Sequence, residues 1–105
     1  MKRIEKLVRD NIPSICKNNG QEANIRILAG PEYTSELRKK LKEEVEEYLL
    51  SKELVELADI VEVIEALAED QGSDLMEIIR LKQEKQRLNG AFKKKVYLIS
   101  VEDVY

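Results

Sequence analysis

The chain contains no histidine, no tryptophan and a single cysteine, Cys16. Without histidine, imidazole acid–base catalysis is excluded, and so are zinc sites built on imidazole. One thiol excludes an internal disulfide framework and fits a reducing compartment. Cys16 has no histidine to activate it and reads as an inert thiol. With 2 Pro and 4 Gly among 105 residues, breaks are few, which suits helices joined by short turns. Aromatic residues make up 5%, so a core must come from Leu, Ile, Val and Ala. No apolar run approaches the roughly 20 residues that span a membrane, and Met1 leads directly into charged residues. A cytoplasmic protein with no membrane partner is therefore expected. A basic excess is also missing. The 18 basic residues face 21 acidic ones, a formal net charge of -3, which provides no footprint for long nucleic acids.

What is present predicts an all-α chain, an antiparallel helical bundle forming a single domain over residues 1–105. A core this small is often completed by oligomerisation, so a homodimer or homotetramer is expected. From Ile4 to Lys17, apolar residues at Ile4, Leu7, Val8, Ile12 and Ile15 have helical spacing, which Pro13 should kink or break near Asn11. Asn18-Asn19-Gly20 reads as a stop. Ala23 to Leu28 alternates like a short strand, ended by Gly30-Pro31, and Val96 to Val101 is a strand or tail able to pair with it. Thr34 or Ser35 is the expected cap of the next helix, with Leu37, Leu41, Val45 and Tyr48 on one face. Ser51 is the expected cap of a second, ending near Asp70, and a third should run to about Asn89-Gly90.

The middle helix is unusual. Apolar residues from Leu54 to Ala68 leave almost no wholly polar face, as in a bundle interior or a subunit interface. Its acids, Glu53, Glu56, Asp59, Glu62 and Glu65, recur every third residue and so spiral around the axis. Glu56 shares a line with Ile60, Val63 and Leu67, and Asp59 lies near Val55, Val63 and Ala66. Both carboxylates sit on surfaces that otherwise look buried. An unpaired buried carboxylate costs on the order of several kcal/mol, so it requires a cation or hydrogen-bonding partners. The preceding helix offers Glu43-Glu44-Val45-Glu46-Glu47. Glu44 and Glu47 lie on neighbouring turns, whereas Glu43 and Glu46 point more towards solvent. A turn at Leu50-Ser51-Lys52 would fold the two helices antiparallel and bring Glu44/Glu47 towards Glu56/Asp59. Four carboxylates with few nearby cations repel unless a divalent ion neutralises them, and hard oxygen ligands suit Mg²⁺ or Mn²⁺. A solvated Glu/Lys face, with Lys39–Glu43 and Lys40–Glu44 pairs, is the competing account of the same acids.

Four blocks carry a resemblance. Lys6-Leu-Val-Arg-Asp-Asn-Ile-Pro13, Leu41-Lys-Glu-Glu-Val-Glu-Glu47 and Glu56-Leu-Ala-Asp-Ile-Val-Glu-Val63, followed by Lys82 to Phe92, resemble the MazG-like branch of the all-α nucleotide pyrophosphohydrolases. The resemblance implies Glu-x-x-Glu and Glu-x-x-Asp pairs binding Mg²⁺, here Glu44, Glu47, Glu56 and Asp59. Glu43 and Glu46 are an alternative frame. The gap between the acidic pairs is shorter than in many members, and Asn11 stands where lysine is common.

The implied reaction is hydrolysis of a nucleoside triphosphate to monophosphate and pyrophosphate. It needs charge neutralisation on the phosphates and an activated water. With no histidine, a carboxylate is the evident general base, and Glu44 or Glu47 is assigned that role. Arg9, Lys82, Lys85 and Arg87 are candidate phosphate contacts, with solvated surface charge as their alternative. The rival functions are a nucleotide-binding module without turnover and a helical dimerisation or interaction domain.

Overall fold

The structure is a computed structural model that describes residues 2–104. It is all-helical, with α1 at Ile12–Asn18, α2 at Gly30–Ser51, α3 at Leu54–Asp70 and α4 at Leu75–Asn89. The chain divides between Leu75 and Met76 into two units. The first holds α1, α2 and α3. The second holds nearly all of α4 and the segment that follows it.

Proline decides where two helices begin. Pro13 falls in the first turn of α1, where its missing N–H costs nothing, so residues 2–11 stay outside the helix. Only the second half of the expected Ile4–Lys17 segment is therefore helical. Pro31 acts in the same way. Gly30-Pro31 opens α2 and does not close a strand, so neither Thr34 nor Ser35 is the cap. The Thr34 hydroxyl instead donates to Asp70 Oδ2 at 2.5 Å, tying the start of α2 to the end of α3.

The expected strand pair does not form. Among the described residues there is no strand, and Ala23–Leu28 and Val96–Val101 lie outside regular structure. Ile25 and Ile27 are exposed, as are Val96, Leu98 and Ile99. An isolated two-stranded ladder with no covered face is marginal in water.

A two-residue connection turns α2 into α3. Lys52 adopts a left-handed conformation, φ 61°, and its amide donates to the Tyr48 carbonyl at 2.7 Å. Glu53 precedes α3 in extended conformation, and its amide donates to the Ser51 hydroxyl at 3.2 Å. Ser51 thus braces the corner instead of capping α3. So short a link forces an antiparallel hairpin, and α2 packs along α3. The buried apolar residues are Leu37 from α2 with Val63 and Ala68 from α3. Ile60, Ile64 and Leu67 are half-buried on the same helix. The opposite flank of α3 is open, exposing Leu54, Val55, Leu57 and Val61. Among the described residues no helix is long and apolar enough to cross a membrane.

Candidate metal centre

Glu44 follows Leu37 by two turns and precedes Tyr48 by one, so helical geometry turns it towards α3. It is the buried charged residue of the hairpin, 7% exposed. Glu56 and Asp59, one turn apart on α3, approach it from the other helix and are half-buried. One carboxylate oxygen from each of Glu44, Glu56 and Asp59 falls within 4.8 Å of the other two. Glu44 Oε2 is buried and has no hydrogen-bond partner.

The charge around this trio is poorly balanced. Lys40 Nζ lies 3.4 Å from Glu44 Oε1, but it is the same distance from Glu43. Arg9 Nη2 reaches Asp59 Oδ1 at 2.8 Å. No cation pairs with Glu56 among the described residues. Burial first, and then the neighbouring Glu47, push the Glu44 carboxyl above its ordinary range, against a smaller pull from Lys40. Glu56 is also raised, first by desolvation and then by the charges of Glu47, Asp59 and Glu44. Glu43 behaves oppositely. Its hydrogen bond from Lys6, at 2.8 Å, holds it below the usual carboxylate range. The alternative frame is thereby set apart, with Glu43 already paired and Glu46 exposed.

Glu47 lies outside the converging trio. Three residues beyond Glu44, it has rotated onto an exposed flank of α2, although its charge is still felt by Glu44 and Glu56. Arg9 is held by Asp59, fifty positions along the chain, and not by adjacent Asp10. Lys39 pairs with Glu36 at 3.1 Å instead of with Glu43, whereas the Lys40–Glu44 pair forms as the spacing predicts. Lys82, Lys85 and Arg87 are exposed on α4, in the second unit. Cys16 is a half-buried free thiol. The Lys6–Glu43 and Arg9–Asp59 pairs carry no local sequence signal, because their partners are 37 and 50 positions apart.

An open cavity of about 480 Å³ lies elsewhere, lined by residues including Pro13, Lys17 and Ile25. It contains none of the converging carboxylates, so the chemistry points to the hairpin and not to this hollow.

Three carboxylates that converge this closely, one of them from buried Glu44 with an unsatisfied oxygen, could hold a metal ion. Beside the partial neutralisation by Arg9 and Lys40, a proton shared among the raised carboxyls is the alternative to a metal ion. Fold and site together describe an all-helical protein whose α2–α3 hairpin carries a carboxylate cluster, with Glu44 buried and Glu56 and Asp59 half-buried. No family model, curated protein or solved structure matches the chain.

Proposed function

We propose that the chain is a Mg²⁺-dependent nucleoside triphosphate pyrophosphohydrolase, cleaving a nucleotide to its monophosphate and pyrophosphate. The observation that carries this reading is the buried Glu44, which converges with Glu56 and Asp59 and whose Oε2 is unpartnered. The order of the sequence blocks that resemble MazG-like enzymes supplies the nucleotide. Glu44, Glu56 and Asp59 would hold the metal, with Glu47 at its rim. Bound there, Mg²⁺ or Mn²⁺ would offset phosphate charge and lower the pKa of a coordinated water.

The remaining tasks fall to side chains. Glu47 is exposed and its charge is felt by both Glu44 and Glu56, which supports assigning it the general-base role of accepting a proton from the attacking water. Glu44, desolvated and facing inwards, serves better as a ligand than as a base in exchange with solvent. Arg9, 56% exposed at its side chain, supplies the nearest guanidinium for a phosphate. The expected cytoplasmic location belongs to the same reading.

The open flank of α3 supports assembly. Leu54, Val55, Leu57 and Val61 are exposed on α3, and Leu49 and Leu50 are exposed at the end of α2. Two such hairpins packed face to face would complete a four-helix bundle, so the working unit proposed is a homo-oligomer.

Pyrophosphate release from a panel of nucleoside triphosphates with Mg²⁺ tests the activity. The reading expects turnover that Glu56→Gln and Asp59→Asn abolish. Turnover that persists in both variants, or no release from any nucleotide, would overturn it.

A further inference from the structure

Residues 2–11, before α1, have no regular structure, yet they are pinned at two points. Lys6 Nζ contacts Glu43 Oε1 on α2, and Arg9 Nη2 contacts Asp59 Oδ1 on α3, each at 2.8 Å. Leu7 and Val8, between those anchors, are half-buried. The segment thus bridges the two helices that supply the carboxylate trio. Asp59 already holds a cation from this segment and Lys40 reaches Glu44 Oε1, while Glu44 Oε2 is buried without a partner.

We infer that Arg9 is a built-in counterion that changes partners, neutralising Asp59 in the metal-free protein and passing to the substrate's phosphate when a divalent cation takes Asp59. The inference rests on the metal-binding reading of the trio and assigns a positioning role to a residue outside it. A guanidinium and a divalent cation compete for the same carboxylate charge, so each lowers the other's affinity. Asp59 is only one-third exposed at its side chain, whereas the longer Arg9 side chain is more than half exposed. The arginine is therefore the partner free to move. A planar guanidinium also suits two phosphate oxygens better than an ammonium would. Lys6 keeps its own carboxylate, Glu43, outside the trio, so the segment stays anchored at one end while Arg9 moves.

The competition has a signature of opposite signs. Mn²⁺ alone, titrated calorimetrically, should bind Arg9→Gln more tightly than the wild type, by up to about five-fold, the range of an exposed ion pair. Inorganic pyrophosphate, titrated into Mn²⁺-saturated protein, should bind the same variant about tenfold more weakly, since a charge-assisted contact is lost. Arg9→Lys should recover much of the Asp59 neutralisation but less of the pyrophosphate affinity. If Arg9→Gln weakens Mn²⁺ binding, the arginine orients Asp59 as a ligand and the exchange is wrong. If both affinities are unchanged, the pair is ordinary surface charge, and the inference also fails. Wild-type protein that binds no Mn²⁺ removes the metal reading itself and this inference with it. Mn²⁺ binding that is lost in Glu56→Gln but unmoved in Arg9→Gln removes the inference alone.

Discussion

Glu44 is the buried charged side chain of the hairpin, and one of its oxygens has no partner. Its carboxylate is desolvated, faces two acids from α3, and has one lysine shared with Glu43. A neutral isostere relieves the repulsion and keeps the shape. Glu44→Gln should therefore raise the stability of metal-free protein by about 1 kcal/mol in urea unfolding at neutral pH. The same change should remove any stabilisation that Mg²⁺ or Mn²⁺ gives the wild type. A variant less stable than wild type without metal would mean that Lys40 fully compensates the charge. This residue was legible in the sequence, because Leu37, Glu44 and Tyr48 fall on one helical face. Glu56 and Asp59 were legible for the same reason, as acids interrupting an apolar helix. The partners of Lys6 and Arg9 were not, because periodicity describes one element and these contacts join distant ones.

Within the elements, helix stops were read more reliably than starts. The ends of α3 at Asp70 and α4 at Asn89 coincide with Gln71-Gly72 and Gly90, where glycine takes up positive φ. The start of α2 was misplaced because Gly-Pro both terminates strands and opens helices, and only the packing of α2 on α3 distinguishes them. The alternation of Ala23–Leu28 was real but insufficient, since a strand also needs a partner and a covered face. The hairpin corner offers a direct test of local conformation. Lys52 occupies the left-handed position that glycine usually takes at a helix end, at a cost of roughly 1 kcal/mol. Lys52→Gly should stabilise the protein by up to about 1 kcal/mol in urea unfolding, leaving metal binding unchanged. A loss of stability would show that the lysine side chain contributes more than its backbone costs.

For the whole molecule, the sparse core bears on assembly. Only Leu37, Val63 and Ala68 are buried among the apolar residues described, while Leu54, Val55, Leu57 and Val61 face outwards on α3. The composition anticipated this, because a helix apolar nearly all round requires cover on more than one side. Sedimentation should give a species larger than the 12.2 kDa chain, and Leu57→Lys with Val61→Lys should shift it towards that mass. A wild-type monomer would leave the exposed flank unexplained by self-association. The all-helical class and the hairpin were readable from the sequence, but the division at Leu75 and Met76 was not. Periodicity records which face is apolar but not what covers it.

The role proposed for Glu44, Glu56 and Asp59 is to hold a divalent cation for cleavage between the α- and β-phosphates of a nucleotide. The most direct test is phosphorus NMR of nucleoside triphosphates incubated with the protein and Mg²⁺. Pyrophosphate and nucleoside monophosphate should appear in equal amounts, and neither should form with Glu56→Gln or without the metal. Orthophosphate with nucleoside diphosphate, or pyrophosphate formed equally well by Glu56→Gln, would contradict it.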